Sequence, residues 1–345
     1  MEKELWKYLK ETDKPILLYG MGNGADKIIN VLESYGIEFS GVFASDGFVR
    51  DKLFHGKKII SYSEAKEKFG DMIVLLCFGS AREDVRQNVL KIAAEQELYA
   101  PEVPVVGGGL FCEKYYLENK ADFDFVYEHL ADDVSKKTYE NIIKYKLSGK
   151  IDYLLDCEVT EDEPYDSFLN FNENERFLDL GAYTGDTVYE FVKRVGDYGK
   201  IIAVEPDFKN FKKLAENTKA FKNITLYNAG ITDAPKRDSF AMFGGRNSVV
   251  SKGKTEIDFL NVDKICENDK ITYIKMDVEG EEKNALDGAR NTILRDKPKM
   301  LVSAYHKTDD LITLPKTVLN IRDDYKIYVR HFKSLPAWDT NFYFV

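Results

Sequence analysis

Apolar positions along the chain change their period twice, and the changes divide it into three stretches. In the first, short apolar runs alternate with segments of helical period. Pro15-Ile16-Leu17-Leu18-Tyr19-Gly20 reads as a buried strand, and Ile28, Ile29, Val31, Leu32 and Tyr35 recur along one helix face up to Gly36. Phe39–Ala44, Ile59-Ile60 and Met72–Phe78 predict further strands, with a capped helix over Ser61–Phe69 and another over Asp84–Glu95. In the second stretch no strand pattern survives. Phe125, Val126 and Leu130, then Tyr139, Ile142, Ile143, Tyr145 and Leu147, keep a helical period, and residues 156–175 are acidic and irregular. From residue 176 the alternation resumes. Phe177–Leu180, Lys200–Val204, Ile224–Tyr227, Ile271–Met276 and Lys299–Ala304 predict five strands separated by helices, and Lys326–His331 with Thr340–Val345 a closing antiparallel pair.

Strands that alternate with helices imply a parallel sheet covered on both faces. The expected fold class is therefore α/β. A doubly wound sheet with a C-terminal antiparallel hairpin occupies 176–345, preceded by a smaller Rossmann-like α/β domain over 1–112 and a helical connector over 113–175. A length of 345 residues suits such a division.

Composition narrows the function classes. Forty-nine basic against 59 acidic residues leave a net charge of −10, which argues against a nucleic-acid partner. Cys77, Cys112, Cys157 and Cys266 are far apart and form no CxxC pair, so neither a zinc site nor a disulfide framework is expected, and reduced thiols fit a cytoplasmic location. The start, MEKELWKYLK, has no apolar h-region, and the longest apolar run, Met72–Phe78, is too short to span a bilayer.

The densest chemistry lies in Asp179-Leu-Gly181-Ala182-Tyr183-Thr184-Gly185-Asp186, between a strand and the helix Thr187–Val195. Gly181 and Gly185 let backbone amides approach a ligand closely. A dinucleotide fingerprint wants a glycine two positions after Gly181, where Tyr183 stands, so a ligand with an amino-acid end and no pyrophosphate fits better. Asp179 can accept from an ammonium or bind a bridging water. Glu205, in Val204-Glu205-Pro206, lies 24 positions after Gly181 (205 − 181), one loop, one helix and one strand on, where a carboxylate can hold ribose hydroxyls. Asn228 and Ala229, just past the third strand, complete the candidate cofactor set. Lys275-Met276-Asp277-Val278-Glu279-Gly280-Glu281-Glu282 ends the fourth strand at the ligand-binding edge. Glu281 and Glu282 there are explained as acids at a helix N-terminus.

These runs are similar to FkbM-type methyltransferases: DLGAYTGDT (Asp179–Thr187), VEPDFKNFKKLAEN (Val204–Asn217), KMDVEGEEKNALDGA (Lys275–Ala289), SAYHKTDDL (Ser303–Leu311) and the closing YVRHF (Tyr328–Phe332) and WDTNFYF (Trp338–Phe344). The resemblance covers nearly all of 176–345. It implies the class I methyltransferase fold, S-adenosylmethionine as methyl donor and a hydroxyl acceptor, on a glycan or a natural-product small molecule. An alcohol must lose a proton, so a base within reach is useful. His306, just past the fifth strand, is the first candidate and Asp277 the second; a histidine capping the next helix is the structural alternative for His306. Asp277 and His306 also suggest a divalent-metal pair, but two ligands are too few, and no metal is assigned. Phe243–Ser248 reads as a flap over the acceptor or a plain solvent loop. Tyr183, Tyr305 and Trp338 read as stacking or core aromatics.

In the N-terminal unit, Gly20-Met-Gly22-Asn23-Gly24-Ala25 satisfies G-x-G-x-x-G/A after a strand and before a helix, and Asp46 follows the second strand. This part resembles the N-terminal domains of sugar-modifying transferases, which implies a nucleotide or nucleotide-sugar there. Otherwise the unit is a docking or homodimerisation module. Two other functions stay open. One is an NAD(P)-dependent oxidoreductase using this loop, for which no hydride-transfer constellation is recognised near it; the other is a non-catalytic nucleotide-binding scaffold.

Overall fold

A computed structural model describes residues 2–49, 51–240 and 255–345. The candidate flap Phe243–Ser248 lies outside them. The first stretch folds on β1 (Ile16–Tyr19), β2 (Gly41–Ala44), β3 (Leu53–Phe54), β4 (Lys57–Ser61), β5 (Ile73–Leu76) and β6 (Glu97–Tyr99), in the order β3-β4-β2-β1-β5-β6. All neighbours are parallel except the short β3–β4 hairpin. β1, β2 and β5 are buried at every position, as strands covered on both faces must be. Ser61 caps the helix Tyr62–Phe69 with a full capping box, its hydroxyl accepting from Glu64 N and the Glu64 carboxylate from Ser61 N.

The connector is helical at 113–118, 120–128, 133–148 and 152–157, and the acidic stretch after it contains one π-helical turn, Tyr165–Leu169. It is clamped to the last sheet by Arg330, which is fully buried and bonded to Asp132 at 2.7 Å and Glu163 at 2.6 Å.

The remaining strands are β7 (Arg176–Leu180), β8 (Lys200–Val204), β9 (Ile224–Tyr227), β10 (Gly230–Ile231), β11 (Lys236–Phe240), β12 (Thr255–Leu260), β13 (Tyr273–Met276), β14 (Lys299–Ser303), β15 (Ile327–His331) and β16 (Thr340–Phe344). Seven form one sheet, β15-β16-β14-β13-β7-β8-β9, parallel except that β16 runs antiparallel to both its neighbours. β10, β12 and β11 make a small separate sheet that the sequence reading did not anticipate. The helical stretch after β13 is two pieces, Glu282–Asp287 and Arg290–Asp296. The break falls at Gly288, whose backbone approaches Thr232 so closely that a Cβ would sit 2.5 Å from the Thr232 carbonyl oxygen.

One hydrophobic core runs through all three stretches, from Leu17 and Val74 through Phe123, Tyr139 and Ile142 to Val302 and Phe342. Backbone bonds reinforce it. Ser80 N donates to Leu335 O (2.9 Å), Val106 N to His306 O (3.1 Å) and Ala131 N to Ile327 O (2.8 Å).

Candidate active site

The C-terminal ends of β7, β8, β13 and β14 open onto a cleft of about 580 Å³, within the size range of small-molecule sites. β7 ends in a forced turn. Gly181 has φ +82°, and a Cβ there would lie 1.9 Å from the Asp277 carbonyl oxygen, so the loops after β7 and β13 touch backbone to backbone. Tyr183 and Glu279, both lining the cleft, hold positive φ of 46° and 54°, a strained conformation for residues with side chains. Gly185 (φ +90°) starts the helix Asp186–Val195 and packs against Leu214 and Thr218.

Asp179 is fully buried and does not line the cleft. One carboxylate oxygen accepts from Thr187 Oγ1; the other lies 3.5 Å from the Lys275 ammonium and has no hydrogen-bond partner. The two residues are register neighbours on β7 and β13, and Lys275 Nζ also donates to Gly181 O at 2.9 Å. The ammonium facing Asp179 is thus the protein's own, and the pair holds the glycine turn. Burial pushes the Asp179 carboxyl up. For Lys275 burial pulls the other way, but Asp179 and Asp277 outweigh it and hold the ammonium charged.

Glu205 faces the cleft but is only 6% exposed; its oxygens accept from Tyr183 N (2.9 Å) and Asp207 N (2.8 Å). Burial raises its pKa to about 7 against these bonds. Gly181, Tyr183, Pro206 and Ala229 line the cleft beside it. Ala182, Thr184, Gly185 and Asn228 shape the loops behind. Thr184 O accepts from Asn217, and Asn228 Nδ2 braces the turn by donating to Glu205 O and Pro206 O.

At the other side, Asp277 lines the cleft and accepts from Tyr305 Oη at 3.2 and 3.3 Å. His306 differs from the sequence expectation. It is 1% exposed and sits behind Asp277, away from the lining. Burial pulls its pKa down, but the Glu282, Asp277 and Glu279 carboxylates outweigh burial and raise it to about 10. With only carboxylates around it the imidazole keeps its proton, which a bound cation would displace, and in neither state is it placed to take a proton from an acceptor. Glu282 is more than a helix-terminus acid. It is 1% exposed, accepts from Val278 N, and has an oxygen 2.9 Å from His306 Nδ1, outside hydrogen-bond alignment and so held by charge.

The far wall comes from the first α/β unit, through Gly79, Ser80, Ala81 and Val105. Trp338 lies against Gly79, where a Cβ would sit 2.4 Å from the indole. No motif marked these residues, because the contact is made by chain segments some 260 positions apart (338 − 79 = 259). Lys275 and Glu282 did carry a signal: each is a charged residue that the fold must bury beside an opposite charge.

In the N-terminal unit, Gly24 allows the tight helix–strand approach of a Rossmann turn, its Cβ position lying 2.2 Å from Cys77 O. Gly20 packs on Phe78, and Gly22 and Asn23 start the helix Asn23–Tyr35. The Asp46 carboxylate, however, accepts from Ser63 N and Oγ, so it serves its own loop.

Residues 179–324 match the family model of the methyltransferase FkbM domain. No curated protein matches the chain in sequence. Among solved structures, a methyltransferase FkbM from Methylobacillus flagellatus KT superimposes with TM-score 0.75 at 24% identity, covering 96% of this chain and 90% of that one. The Aeropyrum pernix fibrillarin bound to S-adenosyl-L-methionine gives TM-score 0.34 at 16% identity, covering 50% of this chain and 67% of its own. A precorrin-6y C5,15-methyltransferase from Geobacter metallireducens gives 0.35 at 14%, covering 54% and 88%. Among the described residues no helix is long and apolar enough to cross a membrane. The glycine turn, the buried Glu205 and Asp277 fall on one sheet edge, within the stretch 179–324 that is similar to the methyltransferase FkbM domain.

Proposed function

We propose that the chain transfers a methyl group from S-adenosylmethionine to a hydroxyl of a neutral or amine-bearing small molecule, a sugar, glycan or natural-product scaffold. The observation that carries this is the charge of the cleft. Among its described lining residues Lys275 is the one base, and it is engaged by Asp179 and Gly181 O, while Glu161, Glu190, Asp277, Glu279 and Asp339 all line the same space. Such a wall repels phosphate and sulfate. It suits hydroxyls and amines, with Trp338 and Tyr305 as faces for a ring.

The donor's requirements fit the other end. Glu205 can accept two ribose hydroxyls, and the start of the helix Asp186–Val195 points backbone amides at the turn where a carboxylate would lie. When bound, S-adenosylmethionine supplies a methyl on a sulfonium, open to in-line attack. Asp277 is the carboxylate that meets the acceptor hydroxyl between the two ends, and Tyr305 fixes its orientation. Calorimetric titration with S-adenosylmethionine tests the first half, and label transfer to a panel of neutral, amino and phosphorylated alcohols the second. We expect micromolar donor binding and transfer to the first two groups. Absence of donor binding, or transfer confined to phosphorylated acceptors, is incompatible with this reading.

A further inference from the structure

Asp277, Glu279 and Glu282 converge on one imidazole. His306 Nε2 lies 3.5 Å from Asp277 Oδ1 and 3.5 Å from Glu279 Oε2, and Nδ1 lies 2.9 Å from Glu282 Oε1. Among the described residues the one cationic group within ion-pair distance of Glu282 is the ring itself, and the nearby Lys275 is committed to Asp179. A carboxylate as buried as Glu282, 1% exposed, is unfavourable unless a cation meets it closely. A second observation is independent of the charge count. Neither His306 nitrogen has a hydrogen-bond partner, nor does Glu282 Oε2, although both side chains are 1% exposed. Buried polar atoms of native proteins are nearly always satisfied by hydrogen bonds, water or an ion.

The spacing is that of ligands. One donor atom each from Asp277, Glu282 and His306 fall within 4.8 Å of one another, roughly the widest separation across an ion with bonds of about 2.1–2.4 Å. Carboxylate oxygens with one imidazole and no thiolate suit magnesium or manganese better than a thiophilic ion. We infer that Asp277, Glu282 and His306 form a site for one divalent cation of this class, with Glu279 beside it. This reverses the metal-free expectation, which counted only Asp277 and His306 because Glu282 was explained by its helix.

The site opens towards the acceptor. Asp277 and Glu279 are 33% and 25% exposed and line the cleft, so a coordination position on that side can take the acceptor's oxygen and make its proton more acidic. That last role rests on the methyl-transfer reading; cation binding does not.

Manganese serves as the probe. The whole chain, stripped with a chelator, is titrated with Mn²⁺ while the electron paramagnetic resonance of the free ion is followed, and S-adenosylmethionine affinity is measured on the same preparation. We expect one Mn²⁺ per chain. Asp277→Asn and Glu282→Gln should each weaken it about tenfold or more, with Glu67→Gln, exposed on the helix Tyr62–Phe69, unchanged. If Glu282→Gln does not fold, the partly exposed Asp277→Asn decides. No stoichiometric Mn²⁺ binding, or equal binding by wild type and Asp277→Asn, overturns the site. A chain that binds S-adenosylmethionine but not Mn²⁺ refutes the cation site alone. One that binds Mn²⁺ but not S-adenosylmethionine refutes the methyl-transfer reading alone.

Discussion

Glu205 holds its proton too tightly for an ordinary carboxyl, and the sign of the effect can be followed. From its usual value of 4.5 up to about 7 the folded chain keeps a proton that the unfolded chain has released. Stability contributed at this residue is therefore present at low pH, falls as pH rises through that window, and levels off above it. Glu205→Gln should remove the slope, so that between pH 5 and pH 8 the variant loses roughly 1–3 kcal/mol less than wild type in chemical denaturation. Two ribose hydroxyls favour the ionised form, so donor affinity in calorimetry should rise with pH across the same range. Lys275 and Asp179 predict a different signature. Lys275→Met strands a buried carboxylate and should cost about 3–5 kcal/mol, while the pair Lys275→Met with Asp179→Leu should recover part of it. At this scale the sequence was legible as placement where residue type and spacing coincide: Gly181, Glu205 and Asp277 all line the cleft. For His306 it was silent about surroundings, because a position just past a strand does not reveal that three carboxylates enclose the ring.

Elements were readable in proportion to how much apolar area they bury. The buried strands β1, β5, β7, β8 and β14 stand where the apolar runs lie, and Ser61 and Glu64 mark their helix by chemistry that needs no tertiary context. Ser61→Ala should cost about 1 kcal/mol, measured as a shift in the denaturation midpoint with unchanged slope. β3 has two residues and β6 three, too short for a period to show. β11 is Lys-Arg-Asp-Ser-Phe, whose pairing with β12 comes from backbone bonds that hydropathy does not record. The interruption at Gly288 was equally invisible, since its cause is the Thr232 carbonyl on another segment. Gly288→Ala should therefore destabilise by roughly 2 kcal/mol, although alanine favours helices, and thermal melting will show it.

Across the whole molecule, the ends of the cleft proposed to take donor and acceptor are built by different stretches of chain. The glycine turn and Glu205 come from the second α/β unit, whereas Gly79–Ala81 and Val105 reach the cleft from the first. Gly79→Val drives a side chain into the Trp338 ring, and should raise the acceptor KM about tenfold while leaving the calorimetric affinity for S-adenosylmethionine unchanged. Strand alternation made both sheets legible, but not the fact that one shared core joins them. The position of β16 adds a consequence in time. β15 emerges earlier during synthesis, yet it touches the sheet only through β16, which is inserted between it and β14. Until β16 arrives, β14 is an exposed edge and β15 is held by the connector, through Ala131, Asp132 and Glu163, rather than by the sheet. Trp338, Asp339, Asn341 and Tyr343, which wall the acceptor side, travel on the same late segment. A nascent chain thus completes its donor turn well before it can discriminate among acceptors, and the edge of β14 is its most exposed point for mispairing or chaperone capture in that interval.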